Sequence, residues 1–173
     1  MAHVRYSVLG TTQAHQSDGT AVTLGGARLR AVLTVLALTP GRAVTVGRLV
    51  DEVWGGEPPA DAAGALQALV GRLRRGIGAD AVELGPGGYR LVAEADDVDA
   101  FRFERLAAEA AGALADHDAV KATALFDEGL ALWRGPALAD LPDRDAEASR
   151  WEARRLEARR GRFGAALALG RAE

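Results

Sequence analysis

The residues of this chain best suited to bind something are three arginines, Arg72, Arg74 and Arg75, with Gln67 shortly before them. A guanidinium stays charged at neutral pH and offers a planar fork of donors that suits phosphate oxygens and base edges. The amide of Gln67 offers both donors and an acceptor to a base edge. A plainer reading stands beside this one. Arginines at the C-terminal end of a helix favour its dipole and can form nothing more than a solvated end. Gln67 is then one more exposed polar residue.

Catalytic chemistry finds no comparable set. The chain has no cysteine, which removes thiolate nucleophiles and disulfides. His3, His15 and His117 are isolated and lack metal-ligand spacing. Ser7, Ser17 and Ser149 lie in no nucleophile elbow. Gly85-Pro86-Gly87-Gly88 lacks the lysine and the helix of a phosphate-binding loop. Asp96, Asp97 and Asp99 could hold a cation weakly but read better as an acidic linker and helix cap. The expectation is a protein that is not an enzyme, with no cofactor and no metal.

The elements that must position the arginines follow from periodicity. Leu66, Leu69, Val70, Leu73 and Ile77 recur on one face and predict a helix over 61–77, with Asp61 suited to its N-cap. Gly64, Ala65, Ala68 and Gly71 fall among its outward positions and have almost nothing to hydrogen-bond a base. Two helices precede it. Leu29, Val32, Leu33 and Leu36 mark one over 28–38, ended by Pro40-Gly41. Thr45 can cap the next, where Val46, Leu49, Val50 and Val53 repeat the spacing. The N-terminus of that helix could present amides to phosphate. Val4, Tyr6 and Val8 alternate as a strand, and a turn at 17–20 leads to a return strand over 21–24. Val82, Leu84, Tyr89 and Leu91 flank the glycine tip at 85–88 as a hairpin. Strand, strand, three helices and hairpin is the order of a winged helix-turn-helix, with 61–77 as its recognition helix. Tyr89 reads as packed against that helix, its hydroxyl within reach of a phosphate.

The second half is helical. Phe103, Leu106, Ala107, Ala110 and Leu114 form one stripe, and Ala122, Leu125, Phe126, Gly129 and Trp133 another. Asp116-His117-Asp118 joins them, and a third helix runs over 145–169. Such helix pairs resemble tetratricopeptide-type repeats, which need neighbours to bury their faces. Trp54 and Trp133 read as packing residues; Trp151 could be left exposed where repeats are missing. Six arginines between 150 and 162 read as a solvated, ion-paired face. The expected class is α+β: a winged helix-turn-helix with an N-terminal β-sheet and a C-terminal hairpin wing, followed by an all-α, tetratricopeptide-like domain.

Composition agrees with this organisation. At 49% hydrophobic and 26% charged residues the chain has the make-up of an ordinary globular protein. The start has no apolar core of a secretory signal, and the densest apolar run, 31–38, is too short for a bilayer. A cytoplasmic location without a membrane partner is expected. Net charge is −3, unevenly placed. Residues 1–92 carry nine arginines and seven carboxylates; residues 93–173 carry twelve basic and seventeen acidic groups. The change of sign suggests a boundary near 93–97 and domains over 1–95 and 96–173. The basic surplus of the first half is small for a nucleic-acid binder.

Several strings resemble the Streptomyces antibiotic regulatory protein family. In the first half they are VLG (8–10), LRAVLTVLAL (29–38), GRAVTVGRLVDEVWGGEPP (41–59), LQALVGRLRR (66–75) and GPGGYRL (85–91). In the second half DVDAFRFERL (97–106) and ALFDEGLALWRGPALADLP (124–142) resemble the bacterial transcriptional activation domain of that family. The resemblance implies an activator that binds direct repeats in double-stranded DNA upstream of antibiotic-biosynthesis promoters and recruits RNA polymerase. Arg72, Arg74 and Arg75 match basic positions of the family's recognition helix, Gln67 matches a frequent glutamine, and Tyr89 and Arg90 match the wing. With Thr45, these form the expected DNA-binding set. The family's activation domain normally continues beyond the equivalent of Glu173, so later helices, or self-association in their place, are expected to complete the helical half.

The resemblance also marks departures. Gly64 stands where arginine or lysine is common, Ala68 where threonine is, Leu69 for tyrosine or histidine, and Gly71 for serine or arginine. On the hairpin Glu83 replaces threonine and Gly85 replaces arginine. A lost phosphate-neutralising arginine removes about one unit from the salt slope. A lost bidentate base contact forfeits roughly 1–3 kcal/mol of discrimination. These positions motivate an alternative expectation: a winged-helix and helical-repeat module with degenerate DNA-reading residues, used for protein or small-molecule binding in a biosynthetic pathway.

Overall fold

The computed structural model describes residues 3–170. It opens with an antiparallel sheet in the order β1 (Val4–Ser7), β2 (Gln13–Gln16), β3 (Ala21–Val22). The sequence predicted a strand and a return strand but not β2 between them. Within β2 only Ala14 is apolar, so no alternation announces it. Pairing supplies what the pattern lacks: Ala14 lies opposite Tyr6 on one side and Val22 on the other, and is buried.

Three helices follow: α1 (Ala27–Ala37), α2 (Val46–Trp54) and α3 (Ala62–Ile77). Thr45 caps α2 by accepting the Arg48 amide at 3.2 Å, and Asp61 caps α3 by accepting the Gly64 amide at 3.0 Å. A short strand, β4 (Ala43–Val44), precedes α2 and was not foreseen; it pairs with the hairpin β5 (Val82–Gly85) and β6 (Gly88–Leu91). The hairpin closes in two residues, Pro86-Gly87, because its strands extend through Gly85 and Gly88. Gly88 has a φ of 116°, and a Cβ there would run into the Val44 carbonyl, so only glycine lets β4 lie against β6.

The helical half begins with a 3-10 turn over Ala95–Asp97, then α4 (Asp99–Ala115), α5 (Ala119–Leu130) and α6 (Asp145–Ala168). His117, at φ 61°, makes the tight turn between α4 and α5. Gly161 brings α6 onto the Phe126 ring, where a Cβ would collide. Trp151 is buried, its ring 5.8 Å from Phe101 at an edge-on angle, so it is not left exposed. The outer side of α6 leaves Leu156, Phe163 and Leu167 about half exposed. No helix of the described residues is long and apolar enough to cross a membrane.

The halves are joined by polar contacts that the sequence did not announce. Asp99 was read with the linker and cap, but it is 1% exposed. Its carboxylate accepts the Val8 amide at 2.7 Å and the Leu9 amide at 3.2 Å. Burial pushes the Asp99 carboxyl above its ordinary range, against the pull of those two amides. The segment 132–142 straps over the same place. Arg134 donates its amide to the Leu9 carbonyl and Leu138 to that of Val8, both at 2.9 Å. Asp140 accepts the Thr12 amide at 2.7 Å and the Arg30 Nε at 2.9 Å, which ties the strap to α1. A parallel bridge between Tyr6 and Val98 completes the join. Residues of both halves therefore share one hydrophobic core.

Candidate nucleic-acid interface

Helix α3 owes its orientation to its inner face. Leu66, Leu69, Val70, Leu73 and Ile77 are all buried, with α1 and α2 packed against the helix. That leaves Gln67, Ala68, Arg72 and Arg75 exposed, with Gly64 and Gly71 partly so. The structure sorts the three arginines by neighbour. Arg72 donates to the Gly25 carbonyl at 3.0 Å, across to the segment before α1. Arg74 donates its Nε to the Val82 carbonyl at 3.0 Å, which pins it to the hairpin and half buries it. Arg75 is exposed and, among the described residues, makes neither an ion pair nor a side-chain hydrogen bond. On the 3.6-residue wheel it points opposite the buried stripe, flanked by Gly71, Gly64 and Ala68.

The wing presents less than its motif suggested. Tyr89 is 5% exposed and belongs to the core, so its ring shapes the hairpin rather than reaching outward. Arg90 is half exposed, but it pairs with Glu83 directly opposite in the register. Leu84 beside it is exposed. Thr45 is exposed, its hydroxyl occupied by the cap of α2. Two further cations lie nearby: Arg42 is exposed immediately before β4, and Arg48 is exposed on α2 with Glu52 at 3.4 Å. Sequence reasoning passed over both. The available signal was position, since they flank Thr45 by three residues on either side.

Each departure from the family pattern now has a local setting. A Cβ at Gly64 would meet the Asp61 carboxylate where it now lies, so a side chain there requires that carboxylate to shift. Leu69 faces inward, so its apolar character serves packing, and a polar residue there would be buried. It lines a shallow cleft of about 330 Å³ with Trp54, Ala65, Ala68 and Arg72. Gly71 and Gly85 have nothing within 4 Å of an added Cβ, so packing forbids no side chain at either. The described residues hold no group of three or more histidine and carboxylate side chains placed to bind a metal.

Comparison with known proteins places both halves. Residues 19–91 match the family described as transcriptional regulatory protein, C terminal, and residues 98–173 match the bacterial transcriptional activator domain. The chain is 37% identical over 182 residues to the regulatory protein DnrI of Streptomyces peucetius, covering 97% of this chain and 66% of that protein. It is 35% identical over 169 residues to the regulatory protein AfsR of Streptomyces griseus, covering 96% of this chain and 17% of that protein. Against the transcriptional regulator RedD of Streptomyces coelicolor the identity is 40% over 65% of this chain and 34% of that protein. Among solved structures, that of Mycobacterium tuberculosis EmbR in complex with a low-affinity phosphopeptide superposes with a TM-score of 0.90 at 28% identity. The match covers 99% of this chain and 47% of that one. The chain thus spans between 17% and 66% of the length of these relatives' proteins.

Proposed function

Because the chain belongs to the Streptomyces antibiotic regulatory protein family, a family of DNA-binding transcription regulators and not of enzymes, we propose that it activates a secondary-metabolite gene cluster by reading direct repeats in double-stranded DNA. The observation that carries this reading is the outward side of α3. There Arg75 is exposed and, among the described residues, unpaired at the end of a helix whose cap, inner face and hairpin all hold it on the surface. In this reading α3 lies in the major groove, where base edges carry a distinguishing code. Arg75 and Gln67 meet DNA first. Arg72 and Arg74 follow by exchanging a backbone carbonyl for a phosphate. Tyr89 supports the wing from within, Arg90 reaches the neighbouring backbone, and the capped end of α2 at Thr45 offers the Val46 and Gly47 amides to phosphate. Residues 1–95 act as the reading unit, and residues 96–173 form the activation unit that contacts RNA polymerase.

Gel-shift titration against the promoters of its own gene cluster, at several salt concentrations, tests the reading. Expected is binding that weakens as salt rises, and an Arg75→Ala variant whose salt slope is flatter by about one unit. Absence of binding to both promoter and unrelated DNA at low salt would overturn it. An unchanged slope for Arg75→Ala would remove the assignment of that residue.

A further inference from the structure

The wing carries one cation and one anion, and they face each other. Counting back from the Pro86-Gly87 turn, the register sets Gly85 opposite Gly88, Leu84 opposite Tyr89, and Glu83 opposite Arg90. Successive strand residues alternate sides. Tyr89 goes into the core, and Arg90 therefore emerges on the other side with Glu83 as its direct cross-strand neighbour. The rest of the tip, Gly85, Pro86 and Gly87, has no charge. The hairpin itself is electrically neutral, with exposed Arg42 just before the neighbouring strand β4, and the Arg90 guanidinium already holds a carboxylate.

We infer that Glu83 is a specificity-determining residue of the DNA interface: its carboxylate stands in for phosphate on Arg90 and keeps the wing silent on DNA that does not bring a backbone phosphate close enough to displace it. This inference rests on the DNA-binding reading above. Its physics is that of competition. An exposed ion pair is weak, so a phosphate seated at the right place can take Arg90 from Glu83. A phosphate passing at a looser distance meets a neutral hairpin and, on it, a repelling carboxylate. Binding to unrelated DNA is almost wholly electrostatic, so silencing one cation lowers it most. Specificity is a difference of affinities, and a built-in repulsive group widens that difference.

The test uses the full chain with two duplexes, a fragment from its own promoter region and an unrelated sequence of equal length, in fluorescence-anisotropy titrations at several salt concentrations. The variants are Glu83→Gln, Arg90→Ala and both together; circular dichroism confirms that each is folded. Glu83→Gln is expected to strengthen binding to the unrelated duplex about fivefold and to steepen its salt slope by about one unit. The promoter fragment should gain less, so the ratio between the two duplexes narrows. In the Arg90→Ala background the gain from Glu83→Gln should largely disappear. A gain of equal size without Arg90 would mean that Glu83 acts only through overall charge, and would overturn the inference. So would weaker binding by Glu83→Gln, which would make Glu83 a support that aims Arg90. In both cases wild-type binding survives, so the DNA-binding reading stands. If neither the wild type nor any variant binds either duplex at low salt, the reading itself fails and takes this inference with it.

Discussion

Two ion pairs in this molecule have the same chemistry and opposite consequences. Arg30–Asp140 joins α1 to the strap over 132–142, with side chains 26% and 7% exposed. Glu83–Arg90 crosses the wing, with side chains about half exposed. Around the first pair every partner is fixed. Asp140 also holds the Thr12 amide, the Thr12 and Thr34 hydroxyls share a 2.5 Å hydrogen bond, and Asp99 holds two more amides a few residues away. The second pair is open to solvent on all but its own strand side. Buried polar groups cost stability when they lose a partner; exposed ones trade partners at small cost. The join between the halves is therefore where polar residues hold the fold together. The α3 and wing surface is where the same residue types remain available to something outside it.

The sharpest way to break this contrast is Asp99→Ala. It strands the Val8 and Leu9 amides in the core and should cost about 2–5 kcal/mol in urea unfolding. The folded fraction should bind DNA unchanged. A loss under 1 kcal/mol would mean that the buried amides do not depend on Asp99 and that the join is not held by these polar contacts.

Asp99 also makes a statement about pH. Its folded pKa is raised, so the folded state binds its proton more readily than the unfolded chain does. Its contribution to stability therefore grows as pH falls from that raised value towards the ordinary value of 3.8. Asp99→Asn removes this contribution, and the variant should lose more stability than the wild type on acidification across that window. Equal losses would show that the shift is absent.

Asp140→Ala comes next in size. It frees Arg30 and the Thr12 amide at a partly buried place and should cost about 1–3 kcal/mol. Thermal unfolding of this variant against Glu83→Ala tests the contrast directly. The wing variant should shift stability by no more than about 0.5 kcal/mol. Equal shifts would erase the distinction between the two pairs.

The smallest effect sharpens the contrast from the other side. Gly85→Arg adds a cation where space is open, so folding should hardly notice it. Binding to unrelated DNA should strengthen by about fivefold. Destabilisation without tighter binding would show that the tip is a packed part of the fold.

Much of this was readable in advance, for identifiable reasons. The three helices of the winged half were legible because Leu66, Val70, Leu73 and their counterparts in α1 and α2 obey the helical period. The caps at Thr45 and Asp61 were legible because each obeys a rule local to one turn. The order of elements supplied the winged helix-turn-helix, and the matched strings supplied the family. β2 and β4 were not legible, because strands of four and two residues with one or two apolar side chains carry no period. The role of LWRGPALADLP was not legible either. Its Arg134, Leu138 and Asp140 act on Val8, Leu9 and Thr12, more than a hundred residues away.

The amino-acid sequence by itself determined the helices and the hairpin, which side of α3 is buried, and which residues stand as candidates on the other side. Those outcomes depend on periodicity, capping and turn chemistry, all of which act within a few residues. Only the tertiary structure decided which candidates are free. It tied Arg72 to Gly25, Arg74 to Val82 and Arg90 to Glu83, drew Tyr89 into the core, and left Arg75 exposed. The availability of a charged group depends on what folds back against it, and that is a property of contacts between distant segments.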